Sequence, residues 1–176
     1  MALAIAQLGQ PVLWRAADPV PAESLATEPF RRLVEEMFET LSQTGGAGLA
    51  APQVFVSLRL FLAVIDPPED EAGAAVEVFI NPRIVTASPE KESDWEGCLS
   101  FPELSVLVPR HRAVRVEYLD LDGVAQALDL EGFAARVVQH EYDHLDGLLT
   151  LDRAASPRDI VKVSELDAVR RARGTA

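Results

Sequence analysis

The stretch Gln139-His140-Glu141-Tyr142-Asp143-His144 carries the pattern H-E-x-x-H within a segment of helical periodicity. Residues four apart on a helix lie on one face, so the imidazoles of His140 and His144 can reach a single metal ion. Glu141 is next to His140, so its carboxylate could transfer a proton from a water molecule that the ion activates. The chain has only three histidines, and two of them have this spacing around a glutamate. The pattern therefore indicates a metal-dependent hydrolytic site rather than a solvated helix face.

The composition is that of a globular protein. A chain of 176 residues can bury a sizeable core, so we expect a single domain over residues 1–176. Hydrophobic residues make up 48% and charged residues 25%, and no apolar run approaches the length of a bilayer span. The N-terminus carries no basic leader, and the single cysteine, Cys98, excludes an internal disulfide. We therefore expect a soluble, cytoplasmic protein with no membrane partner.

The net charge of −12 is unevenly distributed along the chain. Residues 151–176 hold six basic and four acidic side chains, a net of +2, which leaves −14 on residues 1–150. Such an acidic body argues against a nucleic-acid-binding protein, including a sequence-specific one. The C-terminal end is the basic part of an acidic protein.

Apolar periodicity predicts a helix and then a hairpin in the first half of the chain. The helix should begin after Thr27, a candidate N-cap, and stop at Gly45. Residues 58–65 and 75–85 are rich in Val, Ile, Leu and Phe, which is typical of strands. An acidic, proline-containing turn over residues 67–71 would join them.

A second hairpin and the metal-binding helix are predicted next. Residues 113–121 and 124–130 flank Asp122-Gly123, a strong signal for a tight turn between paired strands. The helix with the histidines should then run over residues 132–146 and stop at Gly147.

The last segment predicts one more helix. Ser156 can cap it, a proline follows at the first helical position, and three arginines precede Gly174 at its end. Strands grouped without regular strand–helix alternation indicate an α+β fold. We expect mixed or antiparallel sheets around the buried metal-binding helix, with a C-terminal helix.

The third metal ligand decides the class of enzyme, because two histidines alone do not hold a catalytic metal. The metzincin pattern matches through Gly147 but finds Thr150 where its last histidine should be. A thermolysin-like peptidase would use a glutamate from a later helix, and Glu165 follows His144 by 21 residues. Cys98 is the other candidate, although a lone cysteine is more often a small buried hydrophobe. These residues by themselves leave Glu165 and Cys98 both open.

Three motifs, taken in order, resemble the signatures of peptide deformylases. They are G-x-G-L-A-A-P-Q at residues 46–53, E-G-C-L-S at residues 96–100 and Q-H-E-x-D-H at residues 139–144. The resemblance starts at a G-x-P-x-L over residues 9–13 and extends into the C-terminal helix, so it covers nearly the whole chain. It implies an α+β metalloenzyme that removes the formyl group from N-formylmethionine of newly made polypeptides and releases formate.

The resemblance implies a role for each matched residue. Three residues would be the metal ligands: Cys98, His140 and His144. Glu141 would be the general acid/base, while the side-chain amide of Gln53 and the backbone N–H of Leu99 would stabilise the oxyanion. Gly48 and Gly46 would line the substrate cleft.

The metal and the partners are less closely defined by the sequence. A thiolate with two imidazoles suits iron(II), zinc, nickel or cobalt(II), and the resemblance favours iron(II) as the native ion. Many relatives carry a long polar residue seven positions after the cysteine, where this chain has Ser105, so the resemblance does not define substrate preference. It also points to the ribosome as a partner of the C-terminal helix, where Arg170, Arg171 and Arg173 cluster. The same arginines could instead complement the helix dipole.

Overall fold

The computed structural model describes residues 2–66 and 75–174. Within these ranges the chain forms two antiparallel sheets and four α-helices, which confirms the α+β class. The strands are β1 (Gly48–Ala50), β2 (Leu60–Asp66), β3 (Ala75–Ala87), β4 (Lys91–Gly97), β5 (Leu104–His111), β6 (Ala113–Leu119), β7 (Ala125–Glu131) and β8 (Ile160–Lys162). The helices are α1 (Glu28–Thr44), α2 (Gly132–Leu145), α3 (Thr150–Arg153) and α4 (Leu166–Arg173).

The larger sheet has the strand order β1-β2-β3-β6-β7 and is covered on both faces. Side chains alternate between the two faces of a strand, and β2 shows the consequence. Leu60 and Leu62 pack with the apolar residues of α1, whereas Phe61 and Ala63 pack with those of α2. The helix that carries the histidines is therefore buried against one face of this sheet.

The smaller sheet has the order β4-β5-β8, with β4 at one edge. Helix α2 contacts β5 as well as β2, so it lies against both sheets. Cys98 follows directly after β4 and belongs to a separate apolar cluster with Val106, Val108 and Leu149. This arrangement brings the end of β4 to the histidine face of α2.

The two predicted hairpins are present, since β2 pairs with β3 and β6 pairs with β7. The predicted turn over residues 67–71 lies outside the described residues. Helix α1 also has its predicted bounds, but Thr27 does not cap it with its side chain. Its hydroxyl instead donates to the Ser24 carbonyl at 2.7 Å, which closes the preceding turn.

The prediction of one continuous helix from Ser156 was wrong. Ser156 does accept a hydrogen bond from the Arg158 N–H at 3.2 Å, but this starts only a single 3-10 turn. Strand β8 follows because Ile160 and Val161 are β-branched and pair with β5. The C-terminal helix α4 therefore has eight residues and begins at Leu166. No helix in the described ranges is long and apolar enough to cross a bilayer.

Candidate metal centre

The structure brings together three metal-ligating side chains from two elements. Helix α2 supplies His140 and His144, and the residue after β4 supplies Cys98; their ligand atoms all lie within 4.8 Å of one another. The sulfur of Cys98 is 3.4 Å from Nε2 of His144. Among residues 2–66 and 75–174, this is the one cluster of three such side chains that could hold an ion.

The donor set fits a catalytic metal ion. A Cys-His-His set would hold the ion with three protein ligands and would leave one position for water or substrate, as in catalytic rather than structural sites. Burial and the positive charges of His140 and Arg110 lower the pKa of His144 well below its ordinary value. The shift favours the neutral imidazole of His144, which is the form that ligates a metal.

Glu165 is not part of this cluster. It lies exposed in the turn before α4, where its carboxylate accepts a hydrogen bond from the Ser164 hydroxyl at 3.2 Å. Its sequence position fitted a thermolysin-like ligand only because the segment from Ser156 was expected to be one helix. That alternative was wrong, and Cys98 is the third side chain of the cluster.

Glu141 is buried beside the ligands, with 4% of its surface exposed, and its Oε2 has no hydrogen-bond partner among the described residues. Burial raises the pKa of this carboxyl to about 7, although the charge of His140 opposes the shift. A group with that pKa can both accept and return a proton near neutral pH. Gly48 permits this placement, because a Cβ there would lie 2.6 Å from Cδ of Glu141.

Gln53 is held with its amide donor directed at the cluster. Its Oε1 accepts from the Ala50 N–H at 2.8 Å, and its Nε2 lies 3.5 Å from the sulfur of Cys98 and 3.3 Å from the Ser100 hydroxyl. The Leu99 N–H donates to no protein acceptor within the described part of the chain. Two neutral donors thus lie next to the metal ligands.

A cleft of about 400 Å³ opens onto the site. Both glycines expected to contact substrate, Gly46 and Gly48, line it. A Cβ at Gly46 would lie 3.1 Å from a methyl group of Leu99, so the backbone there is closely packed against the site. The lining continues from the metal ligands to Asp94 and Trp95 on β4, which gives the cleft room for a peptide.

A buried charge network, which the sequence did not reveal, surrounds the ligands. Nδ1 of His140 is hydrogen-bonded to Oε2 of Glu96 at 3.0 Å, and this leaves Nε2 of His140 available to ligate the metal. Arg110 donates to both oxygens of Glu96, at 3.0 Å each, and also pairs with Asp143. Arg136 donates to Glu96 as well, at 2.8 Å. The network therefore orients a metal ligand through a fixed carboxylate.

Burial alone would raise the pKa of Glu96, but hydrogen bonds from His140 and Arg110 outweigh it and hold the pKa at about 2. Removing one partner from such a buried group typically costs about 3–5 kcal/mol, because a charge is left uncompensated. Glu96 and Asp143 lie within two of the deformylase-like motifs, at residues 96–100 and 139–144, and this position was the sequence signal that could have identified them. Nothing in the local sequence marked Arg110, which is at the far end of β5.

An α+β fold with a buried Cys-His-His cluster and a buried carboxyl beside it is that of a metal-dependent hydrolase. The sequence model of the polypeptide deformylase family matches residues 2–159. The chain belongs to the peptide deformylase family, whose members remove the formyl group from N-formylmethionine.

Individual relatives agree with this membership. A peptide deformylase of Treponema pallidum is 44% identical over 151 residues, which cover 86% of this chain and 87% of that protein. One from Thermus thermophilus is 45% identical over 159 residues, covering 85% of this chain and 81% of that protein. The crystal structure of the Thermotoga maritima peptide deformylase superimposes with a TM-score of 0.79 at 40% identity, covering 89% of this chain and 99% of that one.

A class I type b peptide deformylase from Acinetobacter baumannii, solved with Met-Ala-Ser bound, is also similar. It has a TM-score of 0.80 at 36% identity and covers 87% of this chain and 98% of that one. The chain is therefore a metal-dependent hydrolase with deformylase activity and a Cys98, His140 and His144 metal site.

Proposed function

We propose that the cleft binds the formylmethionyl end of a new polypeptide and that Glu141 is the general acid/base of its deformylation. The observation that carries this proposal is the buried carboxyl of Glu141 next to the three metal-ligating side chains. Cys98, His140 and His144 would hold the ion. When bound, a metal ion in such a site lowers the pKa of water from ~15.7 toward ~7 and polarises a carbonyl oxygen.

The residues of the chain then carry the proton transfers. Glu141 accepts a proton from the attacking water as the water oxygen bonds to the formyl carbon. It returns a proton to the peptide nitrogen as the carbon–nitrogen bond breaks, so a free amine and formate leave. The close approach of Gly48 to Glu141 keeps the substrate backbone and the acid/base next to each other.

Gln53 and Leu99 stabilise the negative charge that develops on the formyl oxygen. The Gln53 amide and the Leu99 N–H are neutral donors, so neither competes for the ion as a carboxylate would. Preorganised donors of this kind act where charge appears in the transition state. The hydrogen bond from the Ala50 N–H to Gln53 supports the role, because it fixes which end of the amide faces Cys98. Gly46 and Gly48 would line the peptide side of the cleft.

We further propose iron(II) as the native ion; zinc, nickel and cobalt(II) also suit a thiolate with two imidazoles. Iron(II) beside a thiolate should make the enzyme sensitive to oxygen, through oxidation of the ion or of Cys98. We expect the iron form to lose formate-releasing activity in air faster than a nickel-reconstituted form. The measurement is the activity half-life of both forms in air, with each form kept anaerobically as its control. Equal lifetimes in air would contradict this assignment.

We propose the ribosome as a second partner, which would bind helix α4. Within the described residues Arg170 and Arg171 make no ion pair, whereas Arg173 is paired with Asp159 at 2.8 Å. Two arginines rather than three are therefore free to meet RNA phosphate. Because the Debye length is about 8 Å at physiological salt, they could act only at short range. The acidic body makes such a local basic patch necessary for docking.

Reversing the charge of both free arginines tests the docking proposal. We expect Arg170→Glu with Arg171→Glu to weaken co-sedimentation with ribosomes at low salt, and the difference should vanish at high salt. The matched control, Arg15→Glu with Arg112→Glu, makes the same charge change at two exposed arginines outside α4 that also make no ion pair among the described residues. Unchanged co-sedimentation, or an equal loss in the control, would show that the arginines only complement the end of α4.

A further inference from the structure

The C-terminal helix touches the wall of the active-site cleft through one side chain. The guanidinium of Arg173, in the last turn of α4, lies over the indole ring of Trp95, with its carbon 5.4 Å from the ring centroid. Trp95 lines the same cleft as Cys98, His140 and Glu141. Helix α4 thus contacts a residue of the cleft lining.

Arg173 is held firmly on its other side. One guanidinium nitrogen donates to the carboxylate of Asp159 at 2.8 Å, and the other donates to the Arg158 carbonyl at 2.6 Å. Asp159 keeps only 15% of its side chain exposed, and β8, which follows it, is paired with β5. The hydrogen bonds therefore hold the planar guanidinium by its edge, and its flat face remains available to pack against the Trp95 ring.

The position of Trp95 leaves its ring with few neighbours from its own sheet. It is on β4, the edge strand of the smaller sheet, and is only partly buried. A strand advances about 3.3 Å per residue, so Trp95 lies roughly 10 Å at most from Cys98. An extended peptide covers that distance with about three residues. Trp95 therefore lies within reach of the part of a substrate that follows the formylmethionine.

We propose that Arg173 is a positioning residue, which holds Trp95 in the cleft wall where the ring contacts the polypeptide beyond its formylmethionine. The inference rests on the proposed function, since it takes the cleft as the peptide site. Formate release by the unaltered enzyme tests that assignment separately, so a failure of one is distinguishable from a failure of the other. Helix α4 is then part of substrate binding as well as a candidate docking element.

The test compares a short and a long substrate. Arg173→Ala should raise KM for formyl-Met-Ala-Ser-Lys by about two- to fivefold, which matches the strength of a partly exposed cation–π contact. The rise should be larger for this peptide than for formyl-Met amide, which does not extend to Trp95, and KM should change more than kcat. Arg173→Lys keeps a cation but loses the fork to Asp159 and Arg158, so its KM should be intermediate. Arg171→Ala removes the same charge from the same helix and is the matched control.

Two further measurements exclude a merely structural effect. With Trp14→Phe, Trp95 becomes the only tryptophan, and adding Arg173→Ala should then red-shift its fluorescence and increase its quenching by acrylamide. The double variant Trp95→Ala with Arg173→Ala should have the same KM for the long peptide as Trp95→Ala alone. Asp159→Asn, which keeps Arg173 but weakens its anchor, should act in the same direction if Arg173→Ala does not fold. Equal KM changes for both substrates, additive effects of the two alanines, or a rise in the Arg171→Ala control would overturn the proposal.

Discussion

Replacing Glu141 with glutamine should lower formate release by ~10²- to 10⁴-fold while the metal stays bound. Glutamine keeps the shape of the side chain and can still hydrogen-bond water, but it has no proton to exchange. The loss should appear in kcat more than in KM, since the proton transfers occur in the transition state rather than in binding. Formate release and metal content are measured on the same sample.

The control for this substitution is Glu165→Gln, the same chemical change at an exposed carboxylate outside the metal centre. It should leave turnover near that of the unaltered enzyme. Full activity in metal-loaded Glu141→Gln protein would remove Glu141 from its assigned role. Loss of metal together with activity would instead make the buried carboxyl a support for the ligands.

The second large effect is expected at Cys98. Cys98→Ala should abolish tight metal binding, because two imidazoles alone do not complete a catalytic site. Glu165→Gln should keep its metal, since that carboxylate lies in the exposed turn before α4. Metal content after gel filtration in metal-free buffer measures both. The reverse pattern would contradict the observed cluster and restore the thermolysin-like alternative.

The parts of the site that sequence predicted are those with local causes. His140 and His144 share a helix face whatever surrounds the helix, because four residues make about one turn. The two predicted hairpins also have local causes, namely β-rich runs on either side of turn-forming residues. The motifs that resemble deformylases supplied the choice of Cys98, which the cysteine alone could not.

The parts that sequence missed depend on tertiary pairing. Strand β4 begins with polar residues of low strand propensity and exists because it pairs along its length with β5. The capping signal at Ser156 was real, but pairing of Ile160 and Val161 with β5 ended the helix after one 3-10 turn. The contact between Glu96 and Arg110 likewise spans the two strands of a sheet. Such partners follow from the fold and not from spacing along the chain.

The metal ion held by Cys98, His140 and His144 should carry the deformylation. The most direct measurement follows metal content and formate release together, in protein purified without oxygen, as iron(II) is added to the chelated enzyme. For the unaltered chain, formate release from a formyl-Met peptide should be lost with the metal and should rise in proportion to the ion bound, up to one per chain. Cys98→Ala should show neither binding nor release. Formate release by the metal-free enzyme, or by metal-free Cys98→Ala protein, would contradict this role of the metal ion.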